Sequence, residues 1–153
     1  MTGRAASEPY PVICLELPAE HRYLSIVSAC LAALLEQVDD IAEREPVTYN
    51  LQLAIQEACT NIVDHAYAGQ AGGRIAVEIS LSTSASTSAG SSRRLTVDLY
   101  DSGQPFDESQ TATPSFDEPQ IHGYGLFLMR ELTDGVQYER VEDRNHWQLL
   151  KKL

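Results

Sequence analysis

The chain has 153 residues, of which 43% are hydrophobic and 22% charged, and its formal net charge is −11. This length and composition are typical of one folded domain with a single core. Lys and Arg form no dense patch, which argues against nucleic acid and an anionic membrane surface as partners, because both require clustered cations.

The cysteines and the apolar runs indicate a reduced, cytoplasmic setting. Cys14, Cys30 and Cys59 are widely spaced without a CxxC pair, so neither a disulfide framework nor a zinc knuckle is expected, and each is predicted to be a small buried residue. The opening "MTGRAASEPY" has no apolar signal core, and the run "LAALL" is far too short to span a bilayer.

The first half of the chain predicts a strand, two helices and a strand pair. "PVICLEL" (11–17) reads as a strand that Pro18 ends. A helix follows, with apolar residues at helical spacing: Leu24, Val27, Leu31, Leu34, Leu35 and Val38. A second helix is predicted from an N-cap at Thr48 to about Tyr67, closed by "GQAGG". "RIAVEISL" and "RLTVDLY" alternate as strands around "STSASTSAGSS" (82–92), which predicts a flexible hairpin loop.

The second half predicts a lid, a helix and a closing hairpin. Residues 107–122 lack periodicity and are long for a simple connection, which is typical of a lid over a site, and residues 1–9 are also expected to be flexible. "YGLFLMRELTD" resumes a helical pattern, and "VQYERVE", a turn at "DRN" and "HWQLLKKL" follow. The order predicts a single α+β domain: a two-layer sandwich with helices on one face of a mostly antiparallel sheet.

One helix carries a cluster of polar residues. In "QEACTNIVDHAY" (56–67), at about 100° per residue, four polar side chains share the side opposite the apolar face: Glu57, Asn61, Asp64 and His65. This pattern fits a solvent-exposed helix face as well as a functional site. Asn is a poor helix former, so its position favours a use for its amide.

Two glycine-containing segments could also carry chemistry. In "DLYDSGQPFD", Asp101 ends a strand where it could accept a hydrogen bond from a ligand amino group, although a tight turn explains the same residues. In "HGYGLFLMREL", Gly123 and Gly125 come directly before a helix, which permits either an anion site or a hinge. The chain has no GxxxxGK, so a P-loop enzyme is excluded.

The order of these three segments resembles the N-box, G1-box and G2-box of the GHKL ATPase superfamily, with its Bergerat-type ATP site. The likeness is greatest to the anti-sigma-factor serine/threonine kinases of partner-switching systems and covers nearly the whole chain, from "LPAEHRYLSIV" through "AIQEACTNIVDHAY" to "GYGLFLMRELTD". The resemblance implies an ATP-dependent kinase that phosphorylates a small STAS-type antagonist protein and sequesters a sigma factor or other regulator.

The resemblance implies a role for each matching residue. Asn61 would hold Mg²⁺ through its amide oxygen, Glu57 would be the general base, and Asp101 would accept a hydrogen bond from the adenine amino group. Gly103 would leave space for the base, with Phe106 nearby as a lid or pocket wall. The remaining matches would lie along the nucleotide, with His65 as a structural or pocket-edge residue: Asp64, His65, Gly123, Tyr124, Gly125 and Leu126.

The chain departs from the family pattern near its C-terminus. Relatives carry a Gly-Thr whose hydroxyl supports the adenine-reading aspartate, whereas this chain has "NHWQLLKKL", with His146 and Trp147 at about that place. The predicted lid also lacks Lys and Arg from 107 to 121, so Mg²⁺, backbone amides or Arg130 must offset phosphate charge. A homodimer is expected from the family. The alternative is a non-catalytic ATP-binding regulatory module of the same fold.

Overall fold

The computed structural model describes residues 11–86, 90–110 and 124–153, which form one antiparallel sheet and the helices packed on it. The strands are β1 (Pro11–Pro18), β2 (Arg74–Ser86), β3 (Gly90–Asp101), β4 (Gly135–Val141) and β5 (Arg144–Lys152). The α-helices are α1 (Leu24–Glu36), α2 (Arg44–Asn61) and α3 (Gly125–Leu132). None of the helices within these described ranges has the length and hydrophobicity of a membrane span.

The sheet has five strands in the order β1-β2-β3-β5-β4, and every neighbouring pair is antiparallel. Side chains alternate between its two faces, so every second residue of the central strands is buried against the helices, including Val77, Val97 and Leu149. α1 and α2 supply the other half of the core with residues such as Leu31 and Ile55. The predicted α+β two-layer class is confirmed.

The second helix begins one turn earlier than predicted. It starts at Arg44 rather than after an N-cap at Thr48, because Glu43 turns the chain in the left-handed region (φ 52°). The Arg44 guanidinium then donates to the carbonyl oxygens of Leu35 and Val38 at the end of α1. Pro46 does not prevent this start, since the first turn of a helix needs no partner for its N–H.

The hairpin between β2 and β3 is also longer than the composition predicted. The paired ladder continues to Ser86 opposite Gly90, so most of the stretch 82–92 is strand, and the prediction of a loop across all of it was wrong. Backbone hydrogen bonds carry the pairing onward, and they do not depend on the small polar side chains of this segment. The flexibility predicted for this stretch and for residues 1–9 stays a prediction.

The three cysteines are free. Cys59 is buried in α2, and burial raises the pKa of its thiol to about 12. Cys14 is exposed, contrary to the prediction that each cysteine would be buried, because it lies on the face of the edge strand β1 that no helix covers.

Candidate functional site

The start of α3 lies against the polar residues of α2. A Cβ added to Gly125 would lie 3.2 Å from Glu57 Oε2 and 3.3 Å from both Asn61 Oδ1 and Asn61 Nδ2. These two side chains, one turn apart on α2, therefore converge on the first residue of α3. The described part of the chain gives neither of them a hydrogen-bond partner, so both are available to a ligand at this point.

The residues around Gly125 complete this end of the site. Tyr124 occupies the N-cap of α3 without a side-chain cap, which leaves the first N–H groups of the helix free of side-chain partners. Leu126 is almost completely buried, and its predicted contact with a nucleotide stays a prediction. Gly123, predicted for the same phosphate contact, lies outside the described residues.

Asp101 forms the other end of the site. Its side chain is 3% exposed, and Oδ1 accepts hydrogen bonds from the Gly103 N–H (2.9 Å) and from Asn145 Nδ2 (2.8 Å). Oδ2 is buried and has no hydrogen-bond partner in the described structure. Burial raises the pKa of Asp101, while Asn145, the Gly103 N–H and Arg140 oppose that rise. A buried acceptor without a donor is costly, so Oδ2 fits a ligand N–H.

Gly103 lies in the loop after β3, at the point where this loop contacts the chain just after α2. After Asn61 the chain makes a π-helical turn, Ile62–Ala66, and the Ala66 carbonyl accepts the Gln104 N–H at 2.7 Å. A Cβ on Gly103 would lie 2.4 Å from that carbonyl oxygen. This backbone contact requires glycine here, and the predicted room for a base stays a prediction.

Phe106 forms a wall of an aromatic pocket. Its ring packs edge-on against Trp147 (4.8 Å between centroids) and Tyr138 (5.5 Å), next to a cavity of about 260 Å³ that also touches Leu126. Arg130 borders the same cavity, where its guanidinium lies 2.8 Å from Glu108. The cation predicted to offset phosphate charge is thus paired with a carboxylate, although both groups are largely exposed and the pair is weak.

Asp64 and His65 lie in the π-helical turn beyond Asn61, and both are exposed. Asp64 Oδ1 is 2.7 Å from the Nε2 of His21, a contact that joins this turn to the segment before α1. The predicted contacts of these two residues with a nucleotide stay predictions.

Asn145 is the site residue that sequence reasoning missed. The sequence predicts a turn at "DRN", yet Asn145 lies in β5, where it pairs with Asp101 of β3. It is 1% exposed. His146 points to the open face of the sheet, stacked on Tyr100, and Trp147 enters the core. The alternation of buried residues at 147 and 149 was the available signal, because it puts 145 on the helix-covered face.

The oxygen atoms at this site suit a metal ion that is held mainly by the phosphates of a nucleotide and by water. The described residues contain no group of three or more His, Cys, Asp or Glu side chains that could hold a metal ion. Mg²⁺ in nucleotide sites needs few protein oxygens, because phosphates and water supply the others. The free amide oxygen of Asn61 beside Gly125 fits that requirement.

Comparisons with known proteins identify the family of this chain. The model of the histidine kinase-like ATPase domain matches residues 17–151. Serine-protein kinase RsbW of Bacillus velezensis is 32% identical over 137 residues, covering 82% of this chain and 76% of that protein. RsbW of Bacillus subtilis is 30% identical over 137 residues, with the same two coverages, 82% and 76%.

A solved structure shows the same fold. The crystal structure of the RsbU and RsbW domains of Rv1364c from Mycobacterium tuberculosis superposes with a TM-score of 0.54 at 17% identity. The match covers 92% of this chain but 32% of that one, so this chain spans about a third of its length. By family model and by sequence identity, the chain belongs to the histidine kinase-like ATPase family, in the branch of the RsbW serine-protein kinases.

Proposed function

We propose that this protein is an ATP-dependent serine/threonine kinase and anti-sigma factor of a partner-switching system, and that its substrate is a small STAS-type antagonist protein. The observation that carries the proposal is the convergence of Glu57 and Asn61 on Gly125 at the start of α3. A site that only bound nucleotide would have no use for the carboxylate. The serine-protein kinase names of the relatives support the same activity.

ATP is the substrate that fits both ends of the site. The adenine amino group would donate to the free Oδ2 of Asp101, and the phosphates would extend toward the first N–H groups of α3, where the helix dipole favours negative charge. Asn61 would hold Mg²⁺ through its amide oxygen. When bound, that ion offsets the charge of the phosphates.

Glu57 would act on the protein substrate. Its carboxylate accepts the proton of a serine hydroxyl while the hydroxyl oxygen forms a bond to the γ-phosphorus. The bond from that phosphorus to the oxygen bridging to the β-phosphate breaks, and ADP leaves with the bonding electrons. The proton remains on Glu57, which loses it to solvent before the next cycle, since the side chain is not fully buried.

The test separates transfer from binding. Phosphate transfer from labelled ATP to candidate STAS-type proteins is measured alongside Mg-ATP binding by calorimetry. We expect Glu57→Gln to bind Mg-ATP normally while transfer falls by a factor on the order of 10²–10⁴, the usual contribution of a general base. Asn61→Ala should lose Mg-ATP binding. Glu45→Gln makes the same change in the exposed first turn of α2 and should leave both measurements unchanged.

Each failure of this experiment has a separate meaning. Full transfer by Glu57→Gln would refute the role of that residue as a base. Normal Mg-ATP affinity in Asn61→Ala would refute its role as a metal ligand. Intact ATP binding without label on any candidate protein would favour the alternative, a non-catalytic nucleotide-binding module.

The partners follow from the same proposal. We expect a homodimer that binds a sigma factor or another regulator in the cytoplasm, and neither nucleic acid nor a membrane as a partner. Light scattering tests the dimer, since the chain alone has a mass of 16.9 kDa. A mass near that of one chain at micromolar concentration would reject it.

A further inference from the structure

The amide of Asn145 is the centre of a buried hydrogen-bond network beside Asp101. Its Nδ2 donates to Asp101 Oδ1 (2.8 Å) and to the carbonyl oxygen of Gln104 (2.9 Å). Its Oδ1 accepts from the hydroxyl of Tyr138 (2.7 Å) and from Arg140 Nη1 (2.7 Å). Both ends of the amide are therefore fully engaged, on a side chain that is almost completely buried.

The orientation of this amide is determined by chemistry. A guanidinium can only donate hydrogen bonds, so the atom of Asn145 that faces Arg140 must be the oxygen. The hydroxyl of Tyr138 already accepts the N–H of Phe106 at 2.9 Å, which leaves its proton for the same oxygen. The amide nitrogen must then face Asp101, because the two ends of an amide lie opposite each other.

The two carboxylate oxygens of Asp101 therefore differ in their hydrogen bonding. Oδ1 has two donors, Asn145 and the Gly103 N–H, whereas Oδ2 has no partner in the described structure. We propose that Asn145 is a positioning residue that sets the base specificity of the site, by holding Asp101 so that one oxygen is left free for a purine amino group. The proposal rests on the proposed binding of ATP to Asp101.

The free oxygen discriminates at position 6 of the purine. Adenine has an amino group there, which donates to Oδ2. Hypoxanthine and guanine have a carbonyl oxygen, which would oppose a carboxylate oxygen without a proton between them. Such a site rejects the wrong partner strongly, because both acceptors are then desolvated and unpaired. The selectivity depends on an ionised Asp101. Burial raises the pKa of that carboxyl, whereas the hydrogen bond from Asn145 and the positive charge of Arg140 favour its ionised form.

The experiment compares the affinities for Mg-ATP and Mg-ITP, whose bases differ in the group at position 6 and in the proton that hypoxanthine carries on N1. In Asn145→Asp, a same-sized change, two carboxylates meet and share a proton. Arg140 and Tyr138 donate to residue 145 and favour the charge there, so the proton moves to Asp101. We expect the ratio of the ATP to the ITP affinity to fall about fivefold, the difference between a hydrogen bond to an ionised and to a neutral acceptor.

Gln148→Glu is the matched control. Gln148 also lies on β5 opposite an aspartate of β3, and its amide donates to Asp98 at 2.9 Å, but on the open face of the sheet. The same change from amide to acid there should leave the ratio unaltered. Asn145→Leu removes the donor without adding charge and should lower the ratio as well, so the inference has a second test should the aspartate variant fold poorly.

The outcomes separate this inference from the proposed function. Equal losses for ATP and ITP in a folded Asn145 variant would mean a merely structural role and would overturn the inference, as would an unchanged ratio. A wild-type chain that binds neither nucleotide would overturn the proposed function instead. A lower ratio in the Asn145 variants with an unchanged ratio in Gln148→Glu supports the inference.

Discussion

Replacing Gly103 with alanine is the sharpest test of how the site is built. The new Cβ would lie 2.4 Å from the carbonyl oxygen of Ala66, 2.5 Å from its carbonyl carbon and 2.8 Å from its Cβ. The first two of these atoms belong to the backbone, so no side-chain rotation relieves the contact. The loop after β3 must move away from the π-helical turn by about 1 Å, since carbon and oxygen atoms pack at about 3.5 Å.

The loss of unfolding free energy can be worked out from the contacts that this movement disrupts. Overpacking costs about 1–3 kcal/mol, and the Gln104 N–H to Ala66 O hydrogen bond of 2.7 Å contributes about 1 kcal/mol more. We therefore expect Gly103→Ala to lose about 2–4 kcal/mol of unfolding free energy. For a chain of this length that lowers the melting temperature by roughly 5–15 °C. ATP affinity should fall as well, because the Gly103 N–H holds Asp101.

Thermal melting followed by circular dichroism measures this effect, with Gly135→Ala as the control. A Cβ on Gly135 would lie 3.7 Å from that of Leu150, which is ordinary van der Waals contact. The control should stay within about 0.5 kcal/mol of the wild type, as usual for substitutions without a clash. Equal melting temperatures for the two variants would refute the close contact between the loop and Ala66.

Two further predictions concern the site. Gly125→Ala should have the thermal stability of the wild type but bind Mg-ATP about tenfold more weakly. Its new Cβ would contact the flexible ends of Glu57 and Asn61 and displace them by a few tenths of an ångström. Unchanged affinity in calorimetry would contradict the placement of these two side chains. Because burial raises the pKa of Asp101, acidification should protonate it at a higher pH than an exposed carboxyl. The ratio of the ATP to the ITP affinity should then fall as the pH is lowered toward that pKa and recover above it. Titration of the phosphates cancels in this ratio, because both nucleotides carry the same phosphates. A ratio independent of pH from 4 to 7 would contradict the proposed recognition of the base by an ionised Asp101.

Local sequence pattern determined much of this protein. The alternation in "RIAVEISL" and "RLTVDLY" and the helical spacing from Leu24 to Val38 identify elements and their buried faces, because each pattern follows the geometry of a single element. The polar side of α2 was visible for the same reason. Burial of one face then leads to a two-layer fold, and the order of motifs indicated the family.

Tertiary structure decided the details that depend on residues far apart in the chain. Asn145 was assigned to a turn, yet the register of β5 on β3 places it opposite Asp101, 44 residues earlier. The contact of Gly103 with Ala66 likewise depends on a π-helical turn that no local pattern announced. Strand register is set by how the buried side chains of both strands pack against the helices, and that packing exists only once the chain has folded.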